Sequence, residues 1–282
     1  MRRIGANLWI WESPITDAVI GELAPRVADL GFDVVELPVE EPGAWDPSLA
    51  VEAIARAGLG ASVCCVMPPG RDLAVADSEV VAQTQDYLRH CVEVATHVGS
   101  GTVAGPMYSA VGRLWRLDEA ERSETVALVA ERLRPVAEFA AEREVKLAVE
   151  PLNRYETSLV NTVEQALALI EALDHPAGGL LLDTFHLNIE EKRPADAARR
   201  AAGHIAHVHA CGTDRGAPGT DSFDWPEFVA ALDDAGYAGP LCIESFTSAN
   251  EVIATAASIW RPLAESPDAL ARDGLGFLRG FK

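Results

Sequence analysis

Eight short runs of apolar, β-prone residues alternate with longer stretches of helical periodicity along the whole chain, and this alternation leaves few folds open. The strand candidates are residues 4–9, 34–37, 61–66, 102–105, 145–150, 180–183, 205–209 and 241–244. Several are continuously apolar, as required of strands buried on both faces of a parallel sheet. Between them, segments such as 15–29, 78–97, 118–143, 162–173 and 225–235 carry apolar residues at every third or fourth position, the spacing of an amphipathic helix. Asn161-Thr162-Val163-Glu164 has the form of a capped helix start, and Gly31, Gly58, Gly99 and Gly236 follow helical segments as stops. Repeated βα units build a parallel sheet. Eight of them favour closure into a (βα)₈ barrel, and 282 residues suit one such domain, 1–282, with an extra C-terminal helix near 267–280.

A formal net charge of −20, with no basic cluster, repels phosphate backbones and argues against a nucleic-acid partner. No apolar run reaches the roughly 18 residues of a membrane span, and the start, Met1 to Trp9, lacks a signal-peptide core; the expectation is a cytoplasmic protein without membrane contact. Cys64, Cys65, Cys91, Cys211 and Cys242 form no CxxC pair and are expected to be buried thiols.

In a barrel of this kind, chemistry sits where strands end and the following loops begin. The last four strands all finish on a metal-competent side chain: Glu150, Asp183, His209 and Glu244, spaced 33, 26 and 35 residues apart, about one βα unit each. Such spacing brings the four groups to one mouth. An acid at a strand end more often just caps the next helix or meets an arginine. Four in succession are different, because buried, unpaired acids are costly and a cation offsets that cost. Three oxygen ligands and one nitrogen suit Mn²⁺, Co²⁺ or Mg²⁺ better than a structural zinc.

The same residues lie in longer motifs. "VEPLNRYET" (149–157), "LLDTFHLNIEE" (181–191), "HVHACGTDRGAPG" (207–219), then Asp224-Trp225, Glu244-Ser245-Phe246 and Ile259-Trp260-Arg261, resemble the ketose 3-epimerases. That family comprises the D-tagatose and D-psicose (allulose) 3-epimerases of the xylose-isomerase-like TIM barrel superfamily, and the likeness is strongest from the fifth strand onward. The resemblance implies a metal-dependent isomerase that epimerises a free ketohexose at C3. One divalent ion, Mn²⁺ first with Co²⁺ or Mg²⁺ as alternatives, would sit on Glu150, Asp183, His209 and Glu244. Glu150 and Glu244 would be the catalytic acid/base pair. Glu156, His186 and Arg215 would hold the carbonyl end of the sugar, and Trp115 and Phe246 its far end. A homodimer or homotetramer is also implied.

Inverting C3 removes a proton beside the C2 carbonyl on one face and returns one on the other, so two bases are needed around a cis-enediolate. Arg215 and His186 are donors suited to the developing charge. A cluster of cations for a phosphate is missing, with Arg154 the one candidate near Arg215, which favours an unphosphorylated sugar. Rival readings are a hydroxypyruvate or sugar-phosphate isomerase, an inosose dehydratase-like lyase, a non-catalytic sugar-binding module, and an endonuclease IV-like hydrolase, the last opposed by the net charge. His90, His97, His175, His204 and His207 read as structural, although His207 shares a strand face with His209. Trp9 and Trp11 either stack on a sugar or fill the barrel mouth.

Overall fold

A computed structural model describes residues 2–281. The strands are β1 (Ile4–Asn7), β2 (Val34–Val39), β3 (Gly60–Cys65), β4 (Thr102–Gly105), β5 (Lys146–Val149), β6 (Gly178–Asp183), β7 (Ile205–Ala210) and β8 (Leu241–Ile243). They pair in sequence order, all parallel, and β1 closes on β8. The eight-stranded barrel read from the alternation is therefore the fold.

Outside the strands lie α1 (Asp17–Leu30), α2 (Pro47–Ala57), α3 (Ser78–Val98), α4 (Glu119–Ala141), α5 (Val163–Leu173), α6 (Thr184–Glu190), α7 (Pro194–Arg200), α8 (Trp225–Asp234), α9 (Glu251–Ala256) and α10 (Pro267–Leu278). The punctuation behaves as its chemistry dictates. Thr162 caps α5, its hydroxyl accepting from the Gln165 amide while Gln165 reaches back, and Gly31, Gly58 and Gly99 end α1, α2 and α3 in the left-handed region. α10 is the extra C-terminal helix, packing on α1, β1 and β8. No described helix is long and apolar enough to cross a membrane.

Two departures from the periodicity have local causes. β1 stops at Asn7, short of Trp9, because the Asn7 side chain accepts from the Trp9 amide and caps a 3₁₀ turn, Leu8–Ile10. The connection from β6 to β7 is two short helices, too brief for a periodic signal, with Pro194 at the first position of the second. α9 is likewise a six-residue helix that periodicity does not reveal.

The register matters for the site. A β-bulge between Leu180 and Leu181 shifts β6 against β7, and after it Asp183 stands directly opposite His209. One large apolar core surrounds the barrel, with two smaller clusters beside it, and all five cysteines are buried and free.

Candidate active site

The strand-end quartet converges. One ligand atom from each of Glu150, Asp183, His209 and Glu244 lies within 4.8 Å of every other, and all four residues are buried. Three carboxylates at that separation repel by about 3 kcal/mol per pair at an effective dielectric near 20, about 10 kcal/mol together, comparable to a domain's net stability. Something must neutralise them.

The protein's own answer is partial. Arg215 Nη1 lies 2.7 Å from Asp183 Oδ2 and 3.2 Å from Glu244 Oε2. His209 Nδ1 lies 3.3 Å from Glu244 Oε2. Burial would push the Glu244 carboxyl up, but the His209 and Arg215 charges outweigh it and hold it below its ordinary value. Glu150 goes the other way: burial, then repulsion from Glu244, raises it well above the usual carboxylate range. For His209, burial opposes the charged ring, yet Glu244 and Glu36 outweigh burial and hold its pKa well above the ordinary imidazole value. Two carboxylates driven apart in one site are the pattern of an acid/base pair. Glu150 Oε1 and both ring nitrogens of His209 are buried without a well-aligned hydrogen bond, although His209 Nε2 lies 2.8 Å from Glu36 Oε1. Such orphaned ligand atoms fit a divalent cation, which would restore the charge balance that Glu150 and His209 otherwise reach by holding protons.

The simpler role for a strand-end acid is realised in part. Asp183 Oδ1 caps α6 by accepting from the Phe185 amide at 2.7 Å, which leaves Oδ2 for the site.

Around the quartet is a cavity of about 340 Å³ whose wall includes Glu156, His186, Arg215 and Phe246. His186 Nδ1 accepts from the Asn153 backbone amide at 3.0 Å, so the neutral ring carries its proton on Nε2, which lies 3.5 Å from Glu150 Oε1. Burial and the neighbouring Arg215 charge keep His186 neutral by lowering its pKa well below the ordinary value. Arg215 Nη2 stands 2.9 Å from that same nitrogen. With Nε2 protonated the two N–H groups face each other unpaired, a mismatch that an incoming oxygen accepting from both relieves. Asn153 joins the group: its side-chain amide donates to Glu156 Oε1 at 2.7 Å.

Arg215 is held for this task by its loop. It adopts φ 67°, and Gly212 lies so near the returning chain that a Cβ would sit 2.8 Å from the Gly216 carbonyl oxygen. The Arg215 carbonyl accepts from the Phe246 amide, and its guanidinium stacks on Phe185 at 4.2 Å.

Trp115 does not join the cavity wall. An isolated bridge between Arg113 and Thr157 carries this segment along the rim, and Ser158 bonds both the Trp115 amide and its carbonyl. The Arg113 guanidinium covers the indole at 3.9 Å, and Val111 lines the cavity in its place. The two other tryptophans separate as well: Trp9 lines the cavity beside Phe246, whereas Trp11 donates to Asp268. Arg154 is paired with Glu190 at 2.9 Å and is absent from the cavity wall. The residue that strand-end reasoning passed over is Glu36, fully buried in β2 and 2.8 Å from His209. A glutamate inside an otherwise apolar strand, Val-Val-Glu-Leu-Pro-Val, was the available signal.

Comparison with known proteins agrees with this geometry. The family model described as "Xylose isomerase-like TIM barrel" matches residues 24–281. A "probable ketose 3-epimerase" of Synechocystis sp. is 36% identical over 98% of this chain and 96% of its own. An L-ribulose 3-epimerase of Mesorhizobium japonicum is 33% identical over 99% and 93%. Among solved structures, a D-allulose 3-epimerase from Methylomonas sp. superposes with a TM-score of 0.91 at 29% identity, covering 99% of this chain and 98% of that one. The chain therefore belongs to the ketose 3-epimerases, isomerases of the xylose isomerase-like TIM barrel family.

Proposed function

We propose that this protein inverts C3 of a free ketose, with Glu150 and Glu244 as the two proton carriers. The observation that carries the reading is the meeting of these two buried carboxylates, from strands separated by two others around the ring, in one cavity with His209 and within ligand distance of Asp183. Relatives named for L-ribulose and D-allulose support a ketose as substrate.

Glu150, Asp183, His209 and Glu244 would hold one divalent ion, Mn²⁺ before Co²⁺ or Mg²⁺, which when bound supplies Lewis acidity to the oxygens at C2 and C3. One glutamate takes the C3 proton, and the other returns a proton on the opposite face of a cis-enediolate. Arg215 Nη2 and His186 Nε2 donate toward the oxygen on which charge develops. Glu156, fixed by Asn153, accepts from a sugar hydroxyl at the same end. Phe246 and Trp9 give the far end an apolar wall. The unphosphorylated substrate follows from charge: Arg215 is the one lysine or arginine among the described lining residues, and Asp183 and Glu244 already engage it.

The test is a panel of ketopentoses and ketohexoses incubated in deuterated water with the Mn²⁺-loaded protein and followed by NMR. The C3 epimer should appear with deuterium at C3. Deuterium at C1 alone, or a dehydrated product, would replace this reading by an aldose–ketose isomerase or a lyase.

Arg215→Lys provides a narrower check. A lysine keeps the charge but cannot span Asp183, Glu244 and the His186 edge together. Steady-state kinetics should show kcat/KM reduced by about 10²–10³, carried mainly by kcat, as for loss of an oxyanion donor.

A further inference from the structure

Beneath the quartet lies a second buried carboxylate that the proposed chemistry leaves unused. Glu36, on β2, has no solvent exposure. Its Oε1 accepts from Asn7 Nδ2 at 3.1 Å and lies 2.8 Å from His209 Nε2. Its Oε2 accepts from Ser62 Oγ at 2.9 Å and lies 2.6 Å from His207 Nε2. Asn7 and Ser62 thus take two acceptor sites of a carboxylate whose capacity is about four, and the Nε2 edges of His207 and His209 crowd the others within ion-pair distance, off the line of a straight hydrogen bond. That arrangement fixes where protons reside. A bare nitrogen facing an anionic oxygen at 2.8 Å is repulsive, so the Nε2 edge of His209 must carry a proton, and with Nε2 occupied the nitrogen left for a cation is Nδ1. That is the atom 3.3 Å from Glu244 Oε2.

We propose that Glu36 is a positioning residue: it holds the His209 ring by its Nε2–H and thereby presents Nδ1 to the cation shared with Glu150, Asp183 and Glu244. This inference rests on the reading that the quartet binds a divalent ion. Carboxylates behind a histidine ligand set its tautomer and ring orientation, and loss of one typically costs about 10–100-fold in metal affinity. Asn7, Ser62 and His207 brace the carboxylate in turn. His207, edge-on to His209 with ring centroids 5.1 Å apart, restricts how the ligand ring can turn.

Glu36→Gln is close to isosteric, but its amide turns one acceptor edge into a donor edge facing donors. Mn²⁺ binding to metal-stripped protein, measured by calorimetry with chelator competition, should weaken by about 10–100-fold in this variant. Ser62→Ala removes a brace that does not touch His209 and should stay within about threefold of the parent. Circular dichroism of the stripped proteins reports folding separately. Should Glu36→Gln fail to fold, the parent protein still decides the matter: proton–nitrogen correlation spectra of its histidine rings, with Cd²⁺ as a diamagnetic probe, should show His209 protonated at Nε2 and bare at Nδ1. Equal Mn²⁺ affinity in Glu36→Gln and parent, an equal loss in Ser62→Ala, or a His209 proton on Nδ1 in the Cd²⁺ form would each overturn the role of Glu36. A parent protein that binds neither Mn²⁺ nor Cd²⁺ overturns the metal reading itself, and with it this inference.

Discussion

Glu150→Gln and Glu244→Gln should each abolish net epimerisation at saturating Mn²⁺, lowering kcat by at least about 10²–10⁴, the range of a lost general acid or base. Glutamine keeps the size of the side chain and an oxygen that can face a cation, so what it removes is the capacity to take and return a proton. The two variants should also differ in a way that ordinary loss of function does not produce. Inversion needs both carboxylates, but exchange of the C3 hydrogen on one face needs just one. Each variant should therefore wash deuterium from solvent into one C3 epimer of the substrate without converting it, and the two variants should choose opposite epimers. The double variant should lose both exchanges and be little worse than either single one in net turnover, because the pair acts as a unit. Deuterium-labelled NMR time courses with each purified epimer read this directly. Full net turnover in either variant would remove the two-base mechanism.

Metal removal carries the second large effect. Exhaustive chelation should eliminate turnover, and Mn²⁺ or Co²⁺ should restore it, because in the stripped site Glu150 and His209 hold protons where the ion would supply Lewis acidity. At a free Mn²⁺ concentration of 100 times Kd, folding should gain about 2.7 kcal/mol, visible as a higher melting temperature. The sign of the pH dependence follows from the same groups. Glu150 is held above its ordinary value of 4.5 and His209 above its ordinary 6.5, so each tends to bind a proton at the place a cation needs. Those protons must leave when the ion enters. Affinity should therefore tighten as pH rises and weaken as it falls, with His209 keeping the competition active near neutrality. Calorimetry at two pH values, in buffers of different ionisation enthalpy, measures both the affinity and the protons released. Turnover that survives exhaustive chelation, or a melting temperature indifferent to Mn²⁺, would contradict the site's assignment.

The strand-end quartet was visible in the chain because a barrel repeats one local rule: an apolar strand followed by a residue at the mouth. Glu150, Asp183, His209 and Glu244 each break an apolar run at its C-terminal end, and parallel closure puts such positions together whatever the loops do. The family motifs around 149–157, 181–191 and 207–219 likewise pointed to Glu156, His186, Arg215 and Phe246, all found in the cavity wall. Trp115 shows where this kind of reading loses its hold. Its loop has no repeat to fix its course, and the ring went to the Arg113 guanidinium instead of the cavity.

Alternation of strand and helix, helix caps and the acids at strand ends were thus determined locally, since each depends on neighbours a few residues away. What belonged to the tertiary structure alone was everything set by contacts between distant strands. The bulge at Leu180 that sets Asp183 opposite His209, the shared donor edge of His186 and Arg215, and the Glu36 carboxylate behind His209 join residues 26 to 173 positions apart. Closing the barrel buries these groups together: burial and the neighbouring acid make Glu150 hold its proton, whereas the His209 and Arg215 charges overcome burial and make Glu244 give its proton up.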